Sequence, residues 1–260
     1  MTHDATLSRS DLQVSREGPV AVIEIRRGPH NHVDANLMRA LCDTLQALDH
    51  DNSCRSVVLA AEGRAFCAGA DFNSGDAGID RDPSTFYDQA MRIFDSAKPI
   101  VAAVHGAAVG AGLGLAVAAD FRVTCREARF SANFNRLGFH PGFGLSCTLP
   151  RLVGPQQASL LFYTGRRIDG EEAVRIGMAD VLVAADVVRA EALALAHEIA
   201  ASAPLAVEST RATLRRGLAQ QIRAMNQLEL AAQREQFKTA DFREGVAAMA
   251  ARRTPVFERR

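Results

Sequence analysis

Tryptophan is missing from this 260-residue chain, tyrosine occurs twice, and aromatic residues make up only 6% of it. Thirty basic residues cancel thirty acidic ones, so the formal net charge at pH 7 is zero. A nucleic-acid-binding chain carries a basic excess or basic runs interleaved with aromatics, and the composition argues against nucleic acid as a partner. No C-x-x-C pair exists: the five cysteines (42, 54, 67, 125 and 147) are scattered and odd in number. That usage fits reduced, buried thiols rather than a disulfide framework. Residues 1–19 are polar and lack the apolar core of a signal peptide. The expected location is cytoplasmic.

What the chain does hold is apolar mass and glycine. Hydrophobic residues reach 48%, enough for one large domain or for a domain with an appendage. The sequence is organised around residues 98–120, KPIVAAVHGAAVGAGLGLAVAAD. This stretch opens as a β-branched run (Ile100, Val101, Val104), breaks at His105-Gly106, and carries further glycines at 110, 112 and 114. It then continues as an Ala/Leu/Val segment that reads as a helix. A strand, a glycine turn and a helix start expose unpaired backbone N–H groups at one point, which favours negative charge there.

Three other readings of the stretch fare worse. A dinucleotide fingerprint needs G-x-G-x-x-G near an early strand, and Gly110-x-Gly112-x-Gly114 has the wrong last spacing. A phosphate loop needs Gly-Lys-Ser/Thr, which is absent. Residues 99–119 are long and nearly uncharged, as a membrane span would be. His105 and four glycines interrupt them, however, and no second such segment follows. No membrane association is expected.

Along the chain, Val20–Ile25 reads as a strand, and Asp34 is placed to N-cap a helix running to about residue 50. Leu37, Leu41, Leu45 and Leu48 recur there at helical spacing. His30-x-His32 could ligate a metal, but without a third nearby ligand the pair reads as loop residues and no metal is expected. A strand follows at 56–60, a loop rich in Asn, Asp, Gly and Pro at 73–84, and a helix at 85–97.

After the central stretch come strands at 121–124 and around Phe130, then a second glycine cluster, Gly138-Phe139-His140-Pro141-Gly142-Phe143-Gly144. Helical segments at 145–152 and 160–163, a turn at 164–169, a short helix at 171–176 and a strand at 181–183 complete this part. Strands alternating with helices, without hairpin signals, predict an α/β fold with parallel strands. Residues 187–201, 204–240 and 241–252 read as helices, with Leu214, Leu218, Ile222, Met225 and Leu228 forming one long apolar stripe. Helices that continue after the strands end suggest packing on a neighbouring chain.

Four segments together resemble the enoyl-CoA hydratase/isomerase (crotonase) superfamily over nearly the whole chain. They are Arg64-Ala65-Phe66-Cys67-Ala68-Gly69-Ala70-Asp71, the run KPIVAAVHGAAVGAG, the second glycine cluster followed by TGRRIDGEEAVRIGMAD, and the tail FREGVAAMAARRTPVF. The resemblance implies an α/β crotonase-like spiral of ββα units over residues 1–200 and a C-terminal helical trimerisation region over 201–260. It implies a homotrimer, or a hexamer made as a dimer of trimers. It also implies an acyl-CoA substrate, with coenzyme A part of that substrate and no separate cofactor.

The family's shared chemistry stabilises a thioester enolate between two backbone N–H groups, which by position are Ala70 and Ala111. The same comparison puts Ala68, Asp71, Gly110, Gly114, Asn133 and Phe134 around the substrate. Phe237 is matched to a pocket aromatic and Arg252 to a basic residue near the CoA phosphate. Family hydratases carry two glutamates, one two residues beyond the glycine triplet and one in a Phe-Gly-x-Pro-Glu motif. Here those positions are Gly114 and Phe134. An aspartate nucleophile of the family's dehalogenase branch would fall on Gly142, so dehalogenation is not supported.

His140 is then a candidate catalytic base, histidine being a side chain that can exchange a proton under physiological conditions. Asn133 and Asn135 could hold a water or a carbonyl. Asp76, Asp80 and Asp82 lie on the polar loop. Three readings follow: enoyl-CoA hydratase-like activity, an acyl-CoA binder without chemistry, or a carboxylate-independent reaction such as decarboxylation.

Overall fold

The computed structural model of the chain describes residues 11–70 and 82–260. Its first half runs β1 (Leu12–Glu17), β2 (Val20–Ile25), α1 (Ala35–Asp49), β3 (Ser56–Ala61), β4 (Ala65–Cys67) and α2 (Ser84–Ala90). The central stretch supplies β5 (Ile100–Val104), β6 (Ala107–Val109) and α3 (Ala111–Ala118). There follow β7 (Phe121–Cys125), β8 (Arg129–Ser131), α4 (Leu145–Thr164), β9 (Arg167–Asp169), α5 (Gly170–Arg175) and β10 (Val181–Val183). Helices α6 (Val188–Ala200), α7 (Pro204–Leu214), α8 (Leu218–Gln236) and α9 (Ala240–Ala250) end the chain.

A six-stranded sheet has the order β1-β2-β3-β5-β7-β10, and a four-stranded sheet the order β4-β6-β8-β9. Consecutive strands therefore enter different sheets before the chain turns into a helix, as in β3-β4-α2 and β5-β6-α3. Stacking such ββα units pairs β3, β5 and β7 in parallel in one sheet and β4, β6 and β8 in parallel in the other. The architecture is the α/β spiral with a C-terminal helical bundle that the family resemblance implied. Strands β2, β3 and β5 are buried at every residue, which is why they are apolar apart from Glu24 and Ser56.

Helix α1 starts where its cap predicts, since the Asp34 side chain accepts from Leu37 N at 2.8 Å. It buries Leu37, Leu41, Leu45 and Leu48. Helix α6 crosses β3, β5 and β7 on a small-residue face of Ala192, Ala196 and Ala200, all buried.

Several expectations need correction. Strand β1 makes an antiparallel hairpin with β2, and β9, expected as a turn, pairs antiparallel with β8. Both are short or half-polar edge elements whose alternation is weak, so the expectation of purely parallel pairing fails at the sheet edges. The helix expected over 204–240 is two helices parted at Gly217, which has φ 74°. The predicted stripe breaks with it: Ile222 is buried while Leu214 and Leu228 are 75% and 67% exposed. The apolar run at 99–119 is folded into two strands and a short helix. Among the described residues no single helix is long and apolar enough to cross a membrane.

Candidate active site

The glycine turn takes the shape its sequence requires. Gly110, at φ 55° and ψ −117°, caps α3 with a backbone conformation that an L side chain resists. Its N–H donates to Ser131 O at 2.9 Å, tying the turn to β8. Ala111 is the first helical residue, so its N–H has no acceptor within the helix.

The strand segment ending at Ala70 approaches the same turn. A Cβ built on Gly69 would lie 2.9 Å from Val109 O and 3.9 Å from Ala111 N. One built on Gly112 would lie 2.0 Å from Cys67 O. Two glycines thus let the start of α3 touch the backbone of residues 67–69. Among the described residues neither Ala70 N nor Ala111 N has a hydrogen-bond acceptor. The residues preceding Ala70 are braced, with Ala68 N donating to His30 O at 2.9 Å and Val33 N to Gly69 O at 3.0 Å.

Asn133 and Phe134 border the turn from the other side. A Cβ on Gly110 would sit 3.5 Å from Asn133 Oδ1 and 3.9 Å from Phe134 Cζ. The Phe134 ring is 4% exposed and meets Phe139 edge-on at 5.5 Å. Phe139 in turn packs on Phe237 and Phe242 at 5.0 and 5.5 Å between ring centroids. Phe237 is therefore joined to the turn through Phe139 and Phe134.

Gly114 lies under Phe143. A Cβ there would be 2.4 Å from the Phe143 Cγ. Phe143 is 1% exposed, contacts Phe86 and Phe94, and holds φ at 65°. That conformation costs a bulky residue on the order of 1–3 kcal/mol. At the two positions where the resemblance looks for carboxylates, the structure places an aromatic ring over Gly114 and an aromatic cluster around Phe134.

The remaining candidates are more distant or undescribed. Asp71, Asp76 and Asp80 lie outside the described residues, while Asp82 pairs with Arg234 at 2.8 Å. Asn135 is exposed. Arg252 is exposed at φ 54° and has no side-chain partner among the described residues. His140 is bound to α8: its N–H donates to Gln236 Oε1 at 2.6 Å, and its carbonyl accepts from Gln233 Nε2 at 2.8 Å. Its Nδ1 lies 2.8 Å from Pro141 O. A carbonyl can only accept, so Nδ1 holds the proton and Nε2 the lone pair in the neutral ring. Among the described residues no three or more His, Cys, Asp and Glu side chains are grouped for a metal ion.

Sequence reasoning missed a buried polar row on α8: Asn226, Glu229 and Gln233, each at most 2% exposed. The Glu229 carboxylate accepts from Gly144 N and Ser146 N, both at 2.8 Å, and from Asn226 Nδ2 at 3.1 Å. Gln233 Nε2 also donates to the Tyr87 hydroxyl at 3.0 Å. Glu229 caps the N-terminus of α4 and fixes the residue after Phe143. The i, i+3, i+7 spacing of these polar residues was the available signal, but it resembled an ordinary solvated face.

Burial pushes the Glu229 carboxyl above its ordinary value, while its bonds from Ser146, Asn226 and Gly144 pull the other way. Because the folded value is raised, its favourable contribution to stability is full below the ordinary glutamate range and is lost as pH rises through the folded value. Glu229→Gln turns a donor toward Gly144 N or Ser146 N. We expect it to cost about 2 kcal/mol at neutral pH, a fall of roughly 4–8 °C in Tm. The gap to the parent should widen as pH is lowered, as read by thermal melts across pH.

The class of protein is set by the fold, a ββα spiral with a helix starting at a glycine turn, where among the described residues the Ala70 and Ala111 amides have no acceptor. The family model for enoyl-CoA hydratase/isomerase matches residues 15–260, and the chain belongs to that family. A probable enoyl-CoA hydratase of Rhizobium meliloti is 35% identical over 261 residues, covering 98% of this chain and 100% of the relative. A probable enoyl-CoA hydratase of Mycobacterium tuberculosis, EchA14, is 42% identical over 190 residues, 71% of this chain and 73% of the relative. Among solved structures, an enoyl-CoA hydratase/isomerase from Pseudoalteromonas atlantica superposes with a TM-score of 0.87 at 32% identity, over 95% of this chain and 100% of that one. A carnitinyl-CoA hydratase from Mycobacterium avium gives 0.86 at 29% identity, over 97% and 100%.

Proposed function

We propose that the chain binds an acyl-CoA thioester with its carbonyl oxygen between the Ala70 and Ala111 amides and stabilises the enolate formed there. What supports the reading is that among the described residues neither N–H has an acceptor, that Ala111 opens a helix, and that a Cβ built on Gly69 would lie 3.9 Å from Ala111 N. A developing oxyanion is the charge such a site favours, and one donor of this kind is worth about 3 kcal/mol.

Ala68, Asp71, Gly110, Asn133, Phe134 and Phe237 are assigned to the substrate pocket, and Gly114 shapes it through Phe143. Arg252 is assigned to the CoA phosphates, which suit a basic side chain. His140 is the candidate base for a reaction in which the substrate must lose a proton. Residues 1–200 form the catalytic spiral and 201–260 the oligomerisation region of a homotrimer or hexamer. Support for assembly comes from Leu205, Leu214 and Leu228, which are 80%, 75% and 67% exposed. Five free thiols support a cytoplasmic location.

Hydration of an enoyl-CoA needs a base for the water and an acid for the α-carbon. The apolar walls over Gly114 and around Phe134 supply neither. Crotonyl-CoA hydration should therefore run roughly 10²–10⁴-fold below a site with such a pair, while butyryl-CoA still binds and saturates. Absence of CoA-ester binding would remove the proposal. The same rings favour a second reading in which the substrate carries its own leaving carboxylate. Loss of CO₂ passes the C–C electron pair into the thioester enolate, and a solvent proton completes the product. A malonyl-type thioester in the same assay distinguishes this from a binder that turns nothing over.

A further inference from the structure

The carbonyl on the far side of the Ala70 amide is not left to water. His32 Nδ1 lies 3.1 Å from Gly69 O, and Val33 N reaches the same oxygen at 3.0 Å. Since a carbonyl only accepts, His32 presents Nδ1–H to it. The two bonds end on the one peptide group whose other end is the Ala70 N–H. Hydrogen bonds to a carbonyl polarise its peptide unit, and bonds in series strengthen one another by roughly 10–30% each. Asn31, fully buried at φ 51°, locks the approach by donating to Glu62 O and Ala65 O, both at 2.7 Å. The imidazole is thus carried on a rigid turn while remaining half-buried itself.

We propose that His32 is a positioning residue for the oxyanion site: its Nδ1–H orients the Gly69–Ala70 peptide and polarises it, so that the Ala70 N–H binds a thioester oxygen more strongly. This rests on the assignment of Ala70 as an oxyanion donor and adds a side chain that acts through it. Val33 N fixes the same carbonyl in the plane of the strand, and the imidazole supplies the second lone-pair contact. An alanine or leucine at residue 32 would leave that lone pair without a protein donor.

The test reads polarisation rather than turnover. The probe is 4-dimethylaminocinnamoyl-CoA, whose absorption moves to longer wavelength as its thioester carbonyl is polarised. It is titrated to saturation against the full chain and against His32→Ala, His32→Phe and His32→Asn. Phenylalanine keeps the ring volume without the donor, and asparagine places an amide N–H near the position of Nδ1. The red shift at saturation should shrink by roughly 10–30% in His32→Ala and His32→Phe and return in His32→Asn. Turnover of any substrate found should fall roughly two- to threefold in the first two variants.

A purely structural His32 would lower Tm while leaving the shift of the bound probe unchanged, and that result overturns the inference. An equal loss in His32→Asn also overturns it. If the parent protein binds the probe without any red shift, or does not bind it, the oxyanion assignment fails first and the role of His32 falls with it. Should His32→Ala fail to fold, the Phe and Asn pair alone decides the matter.

Discussion

Ala111→Pro is expected to leave the fold standing and to lower turnover by about 10²–10³-fold, the usual cost of losing one oxyanion donor. Proline deletes the N–H and nothing else that the local structure uses. Ala111 is the first residue of α3, where the amide has no intrahelical acceptor and where the fixed φ of proline is already suited to the helix. The preceding residue is Gly110, which has no Cβ to meet the proline ring. Melting should shift by no more than a few degrees, while the red shift of a bound aminocinnamoyl thioester collapses. Unchanged activity in a folded Ala111→Pro protein would show that the reacting oxygen lies elsewhere.

The second large effect is on stability. Gly114→Ala sets a methyl group 2.4 Å from Phe143 Cγ. The ring cannot easily retreat: it is packed by Phe86 and Phe94, and its backbone sits at φ 65° between Gly142 and Gly144. Overpacking of this kind costs about 1–3 kcal/mol, a fall in Tm of roughly 2–12 °C. Gly114→Glu should be worse, because it forces a carboxylate among three rings, and it should not restore hydration. Phe143→Ala alone is expected to cost about 3–5 kcal/mol through the cavity it leaves. Combined, Gly114→Ala and Phe143→Ala should be less damaging than their sum by about 1–3 kcal/mol. Strict additivity in denaturant melts would mean that the two residues do not share the space assigned to them.

The legible parts of the fold were those written in local pattern. Helix α1 announced itself through Asp34 and four leucines, and the buried strands through β-branched runs. Strand β1 hid because Gln13, Ser15 and Glu17 alternate with residues that stay partly exposed, Val14 among them at 45%. Helices α7 and α8 merged in the reading because Leu214 and Leu228 keep the period without being buried. The glycine turn of the site was readable, since backbone geometry at Gly110 is dictated by the residue itself.

What filled the space around the turn was not readable. The ring over Gly114 depends on a left-handed phenylalanine in another segment. The support beneath it comes from Glu229, separated from Gly144 by 85 positions. Contacts of that range leave no period in a sequence. His32 was visible only as half of a weak metal pair, because its partner is a main-chain carbonyl.

The Glu229 clamp also bears on the order in which the molecule matures. Chains grow from the N-terminus, and domains fold as they emerge. The two amides at residues 70 and 111 are present in the first half of the nascent polypeptide, yet the wall behind α3 hangs from a helix made near the end of synthesis. A ribosome-bound intermediate would hold a spiral with an open back, and release of the last helices would close it.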